Sequence, residues 1–283
     1  MIILAPPSER KTTGTHHQTI DLIDLPFNEQ LLPMRQRVLE ALVTVSKRED
    51  ALQILHVGPK VADTVAANID IVNAPTSPAL FIYSGVFYDA LDAATLSEKA
   101  RASAQGKVFV QSALWGLVGL EDYIPAYRLS MGIDMSVAEI PAVIPGKENG
   151  DRAVIGKLST AWKPVLAPVL DDLCGKELVI DCRSGAYRAP WKPTAAQRQH
   201  IGCEMVDVRA VVQKNGGEKV VTHYTKFYRG LLTRHMMMSD SLDIVDVADM
   251  VDVLAHMKDP SIADFRLEES GPQEFTLTLI VSK

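Results

Sequence analysis

Three features of this sequence predict a mixed α/β fold in one compact domain. Short apolar runs at Met1-Ile2-Ile3-Leu4-Ala5, Lys107-Val108-Phe109-Val110-Gln111 and Glu177-Leu178-Val179-Ile180-Asp181 read as buried strands. Helical patterns lie between them, over residues 97–105 and 160–173, so a mixed sheet flanked by helices is expected. No internal repeat, low-complexity segment or clear linker divides the 283 residues, which favours a single domain over 1–283.

The first strand, residues 1–5, is halted by Pro6-Pro7 and runs into a polar loop over residues 8–15. Residues 31–51 read as helix, and Ala79-Leu80-Phe81-Ile82-Tyr83 reads as a further strand. Residues 47–54 and 61–68 carry helical patterns on either side of a Gly-Pro turn. Pro141 to Asp151 is the best loop candidate in mid-chain, with strands expected on both sides. Residues 204–213 and 219–225 flank Asn215-Gly216-Gly217, a hairpin signal because Asn and Gly tolerate positive φ. A second hairpin is expected around Ser270-Gly271-Pro272, with residues 274–281 as the last strand.

Composition bounds the function. A hydrophobic content of 47% with 23% charged residues describes a folded globular chain. No apolar run is long enough to span a bilayer and no secretory signal is visible, so a cytoplasmic protein is expected. Cys174, Cys182 and Cys203 are odd in number and lack CxxC spacing, which fits reduced thiols. His16, His17, His200, His223 and His235 show no metal spacing. The series Asp240, Asp243, Asp246, Asp249 and Asp252 drifts around a helix and solvates its face; no metal or other cofactor is expected. The net charge of −6 is segregated: residues 239–269 hold nine acids and two bases, whereas residues 183–234 hold ten bases and three acids. The basic segment can therefore make a positive surface, unless the acidic one folds over it.

Lys226, Arg229 and Thr233 stand at i, i+3 and i+7, with Arg234 at the margin, after a strand-like run over residues 219–224. One helical face would carry them as an anion site or as a solvated surface. Leu55-His56-Val57-Gly58-Pro59-Lys60-Val61-Ala62 resembles the hairpin of helix-hairpin-helix DNA-binding modules, where Val57 and Gly58 would present backbone N–H groups to a phosphate and Lys60 would add charge. His56 stands where that motif has its first glycine, and a structural corner with Gly58 as C-cap is the other reading. Arg128 sits among apolar neighbours and needs either an anionic ligand or an internal partner such as Asp122. Ser184 and Cys182 follow a strand, where α/β sheets place ligand sites, but no nucleophile elbow surrounds Ser184.

These blocks, in this order, resemble the YaaA family of bacterial peroxide-stress proteins: Pro7 and Lys11; residues 84–91; residues 112–116; Tyr127-Arg128-Leu129 with Met131-Gly132; Ser184, Tyr187 and Lys192-Pro193; and Tyr224, Lys226, Arg229-Gly230 and Arg234. The resemblance implies a compact α/β fold with an embedded helix-hairpin-helix element beside a positive cleft. It also implies DNA binding and protection from peroxide by limiting free iron. Gly119-Leu120 replaces an Arg-Pro pair often found in the family, and Phe227-Tyr228 replaces a Lys-Ala type pair, each removing a cation.

The expected partner is double-stranded DNA, bound without sequence preference through its phosphates. Val57, Gly58 and Lys60 would contact it. Lys11, Tyr127, Arg128, Ser184, Tyr187, Lys192, Lys226, Arg229 and Arg234 would line an anion cleft. The alternative is an enzyme acting on a nucleotide or small phosphorylated molecule, with the same cations enclosed in one pocket and Ser184, Tyr187 or Tyr127 moving protons. The residues specify no reaction class.

Overall fold

The structure, a computed structural model, describes residues 1–138, 140–141, 152–214, 217–221, 224–239 and 242–282. Eight strands form its main sheet: β1 (Ile2–Ala5), β2 (Val108–Ser112), β3 (Gly116–Gly119), β4 (Leu178–Asp181), β5 (Glu204–Lys214), β6 (Gly217–Val220), β7 (Ile262–Gly271) and β8 (Glu274–Val281). The order is β7-β8-β5-β4-β1-β2-β3, with β6 paired to β5. β1, β2, β4, β5 and β8 pair in parallel, while β3, β6 and β7 add antiparallel strands. β1, β2 and β4 are buried along their whole length, as central parallel strands covered on both faces must be. The expected mixed α/β fold is therefore present.

This strand order places a site. From β1 the chain moves to β2 on one side, then returns to β4 on the other. The loops leaving the carboxyl ends of β1 and β4 consequently diverge and leave a crevice between them, the position where open α/β sheets bind ligands.

Several elements differ from expectation. Residues 79–82 form a helical turn, Ala79–Ile82, and the strand is the preceding Thr76–Pro78, paired with Tyr123–Pro125. Pro78 starts that turn and Tyr83 N closes it onto Ala79 O; a short apolar run looks the same in either conformation. The turn at 55–61 lies between helical pieces of only four and six residues, Ala51–Ile54 and Ala62–Ala67. Gly58 is extended, at φ −82, and is not a C-cap; His56 takes the left-handed position at φ 51. Asn215, Gly216, Thr222, His223, Asp240 and the loop core 142–151 lie outside the described residues, although Ile140–Pro141 does pair with Arg152–Ala153.

The acidic segment does not cover the crevice in its described part. Met1 ammonium pairs with Glu177 and donates to Leu242 O, and Lys107 pairs with Asp243. Both anchor the segment to the amino ends of β1 and β2, opposite the crevice. Asp249 and Asp252 are exposed on the Val247–Ala255 helix, and Asp246 caps it. Among the described residues no helix is long and apolar enough to cross a membrane.

The Thr225–Met238 helix reaches the crevice by packing on the Val86–Leu91 helix through Gly230. A Cβ at Gly230 would lie 2.2 Å from Phe87 O, a backbone atom that cannot step aside. Gly230→Ala is expected to lower stability by about 1–3 kcal/mol through overpacking, measured by denaturant unfolding. An unchanged midpoint would show that the helices can separate freely.

Candidate functional site

The loop leaving β1 is fixed before it reaches the crevice. Tyr88 Oη donates to Pro6 O at 2.8 Å, Thr12 N donates to Ile82 O at 2.8 Å, and Ser84 N donates to both Ser8 Oγ and Arg10 O. Lys11 Nζ donates to Ser8 O at 2.7 Å and lies 4.0 Å from the Tyr127 ring centroid and 5.4 Å from that of Tyr83. Among the described residues it has no carboxylate at ion-pair distance. Burial therefore pulls its ammonium from 10.5 down to about 7, with Arg128 lowering it further and Glu9 partly opposing.

Behind Lys11 runs a hydroxyl chain. Ser112 Oγ accepts from the N–H groups of Leu114 and Trp115, which uses both its lone pairs, so its own proton goes to Tyr127 Oη at 2.7 Å. Tyr127 Oη stands 3.0 Å from Tyr83 Oη. Burial pushes the Tyr83 phenol up to about 12 and that of Tyr127 well above its ordinary value, so both remain protonated at neutral pH. Tyr187 Oη accepts from Met131 N at 3.3 Å and is likewise raised by burial.

Arg128 borders the same space. Its backbone is clamped by Asn68, whose side chain accepts from Arg128 N at 2.9 Å and donates to Arg128 O at 3.1 Å. Its guanidinium bonds Glu9 O and pairs with the Glu9 carboxylate at 3.2 Å. The internal partner is thus Glu9. Asp122 instead accepts from Gly119 N within its own turn.

The loop leaving β4 is held by charge. Asp181 accepts three hydrogen bonds from Arg183, two from the guanidinium and one from the backbone N–H, and the guanidinium also reaches Gln111 Oε1 and Trp191 O. Arg188 bridges Asp181 and Asp207, and Arg229 adds Asp207 to the carbonyls of Val208, Cys182 and Arg183. Arg229 is therefore buried frame, although the sequence reading placed it in the cleft. Arg234 is similarly engaged by Leu91 O, Asp92 O and Thr95 Oγ1. Spacing along a helix reveals which residues share a face, but not whether that face meets solvent or a sheet. Thr233 is buried and donates to Arg229 O. Ser184 is half-buried at the start of the Gly185–Tyr187 turn and its side chain caps nothing there. Lys192 is exposed.

Two cavities meet at Glu9 and Arg10. One, of about 580 Å³, is bounded by residues 6–10 and 84–89 and by Lys226. The other, of about 430 Å³, is lined by Lys11, Tyr127 and Arg128 and by Val61 and Thr64 from the 55–67 corner. The predicted corner and part of the predicted cleft thus share one wall. At the corner's tip Gly58, Pro59 and Lys60 are exposed, and a Cβ on Gly58 would meet nothing within 4 Å. The amides of Gly58 and Lys60 have no hydrogen-bond partner among the described residues. Arg10, Lys60 and Lys226 likewise carry no ion pair there. No group of three His, Cys, Asp or Glu side chains among the described residues is placed to hold a metal ion.

Sequence reasoning missed Glu9, Asn68, Tyr83 and Asp207. Tyr83 and Ser112 adjoin or begin blocks that were singled out; Glu9 and Asn68 carry no local signal, since their partners are 119 and 60 residues away.

Comparison with known proteins gives one family. The family described as peroxide stress protein YaaA matches residues 1–255. A UPF0246 protein of Corynebacterium glutamicum is 34% identical over 286 residues, covering 99% of this chain and 100% of the relative. One from Streptomyces coelicolor is 33% identical, covering 84% and 83%, and one from Francisella tularensis subsp. novicida is 23% identical, covering 86% and 91%.

Asp181→Asn would leave Arg183 buried without its counter-charge and is expected to cost about 3–5 kcal/mol in chemical denaturation. Burial alone would raise the Asp181 carboxyl, but Arg183 and Arg188 outweigh it and hold the group below its ordinary 3.8. Its stabilisation is therefore complete above that value and is lost as pH falls through the lower folded value. The native protein should lose stability there more steeply than Asp181→Asn; equal acid profiles would contradict this role.

Proposed function

The chain belongs to the YaaA family of peroxide stress proteins, and from that premise we propose that it protects DNA by binding the phosphate backbone without regard to sequence. The observation that carries this reading is the exposed tip at Gly58-Pro59-Lys60, with the amides of Gly58 and Lys60 unpartnered among the described residues; Val57, by contrast, is half-buried and its amide donates to Leu52 O at 2.9 Å. Backbone N–H groups suit phosphate oxygens and carry no sequence information. Arg10 and Lys226, unpaired on the adjoining cavity, extend the positive surface from the tip toward the Thr225–Met238 helix. No described residue of the acidic segment lines either cavity, which leaves this approach open.

Phosphate neutralisation releases condensed cations. Ferrous ions held on DNA would leave with them, which ties the binding to a smaller pool of iron able to generate radicals at the DNA. With Arg229 and Arg234 engaged internally and Arg128 paired with Glu9, the exposed cations at the tip and on the adjoining cavity that have no ion pair among the described residues are Arg10, Lys60 and Lys226. The expected slope of log K against log salt is about −3, a modest electrostatic term. The enclosure of Lys11 supports a second reading, chemistry on a nucleotide or small phosphorylated molecule in the same crevice.

Fluorescence anisotropy of a short duplex at several salt concentrations tests the first reading. Gly58→Asp/Lys60→Ala is expected to weaken binding at least about ten-fold, since it sets a carboxylate against the phosphate and removes a cation. Lys226→Ala is expected to reduce the slope by about 1. Flat salt dependence, or full binding by the tip variant, would overturn the reading. Binding of a sugar phosphate without any duplex binding would favour the second.

A further inference from the structure

Lys11 has a chemical setting that phosphate binding does not require. A lysine serving only as a phosphate contact is best left solvated and fully charged. Lys11 instead folds back onto the Tyr127 ring, with Ser8 O as its hydrogen-bond acceptor. Its neighbour Glu9 is engaged by Arg128, Tyr83 and Tyr127 beside the ammonium are both protonated, and Arg10 and the exposed Asp63 carboxylate line the same cavity. Lys11 lines a cavity of about 430 Å³, inside the range of roughly 300–1,000 Å³ typical of small-ligand sites. Val61, Ala67 and Ala126 supply apolar wall, and Arg128 supplies a guanidinium at the rim.

We propose that Lys11 is an imine-forming amine and that its cavity takes the open-chain aldehyde of a 2-deoxyribose phosphate, the chemistry shared by an abasic site in DNA and by the free sugar phosphate. An amine must be neutral to attack a carbonyl, and burial brings Lys11 near that balance at neutral pH. The nitrogen adds to the aldehyde carbon, and both amine hydrogens leave with the aldehyde oxygen as one water, giving a C=N bond to Nζ. No oxidant, reductant or further reactant takes part. Arg128, with donors beyond those it gives Glu9, and the unpaired Arg10 are placed for the flanking phosphates. Radical attack on DNA sugars and bases leaves such aldehydes, which joins this chemistry to peroxide stress. The abasic source rests on the DNA-binding reading; the imine does not.

The test is borohydride trapping, in which hydride reduces the C=N bond to a stable amine. Full-length protein is treated separately with a duplex carrying one abasic site and with 2-deoxyribose 5-phosphate, then reduced, and the adduct is mapped by peptide mass. Binding to an intact duplex is measured in parallel. The expected result is one adduct on Lys11 from both probes, reduced more than about ten-fold in Lys11→Arg, which keeps the charge but lacks the nucleophilic amine. Mapping on the native protein keeps the test decisive if the variant misfolds. An adduct on Lys11 from the free sugar phosphate alone, with no duplex binding, supports the imine and removes DNA as its source. Duplex binding with no adduct, or adducts spread over surface lysines, overturns the imine and leaves the DNA reading standing.

Discussion

The bidentate pair between Asp181 and Arg183 is the interaction on which the rest of the site depends. Asp181 ends β4 and Arg183 begins the loop after it, so the pair fixes the chain where it leaves the sheet. Two ions taken out of water gain little unless their remaining donors and acceptors are filled. Here they are filled by Gln111, Trp191 and Arg188, and Asp207 and Arg229 continue the network onto β5 and the Thr225–Met238 helix. The carboxyl end of β4, the stretch of β5 beside it at Asp207-Val208 and that helix thus form one rigid wall of the crevice.

Against this wall the chain uses its cations in two ways. Arg35, Arg183 and Arg229 are buried and donate chiefly to backbone carbonyls or to buried partners, closing valences that loops leave open. Arg10, Lys60 and Lys226 are exposed and unpaired among the described residues, and they surround the crevice. The cations counted in the sequence thus divide between frame and surface, and no described residue of the acidic segment lines either cavity. Lys11 belongs to neither class. Its folded value lies below its unfolded one, so its burial costs stability at neutral pH, and that cost falls away as pH rises toward 10.5. A buried amine retained at such a cost fits a chemical role better than a structural one.

Much of this was legible in the sequence, for physical reasons. The runs at residues 1–5 and 177–181 are apolar on both faces because both faces are covered, and the Ser270-Gly271-Pro272 signal gave the β7–β8 hairpin directly. The run at 79–82 was not legible, because four apolar residues fit a helical turn as well as a strand. The cation series at 226–234 gave the helix but not its burial, which depends on Asp207 and on the carbonyls of β5. An internal partner for Arg128 was legible but not its identity: Asp122 is near in sequence, whereas Glu9 is near only after β1 is inserted beside β2. Local chemistry is written locally, and pairings between distant loops are set by strand order.

On the proposed function, phosphate oxygens meet the amides of Gly58 and Lys60 beside the crevice. Amide-resolved NMR of the labelled protein, with and without a short duplex at low salt, tests it most directly. The Gly58 and Lys60 amides should shift downfield on saturation, together with residues 8–11, while the exposed edge strand β7 stays unchanged. Shifts confined to β7 or to the acidic segment, with Gly58 and Lys60 unmoved by bound DNA, would contradict the claim.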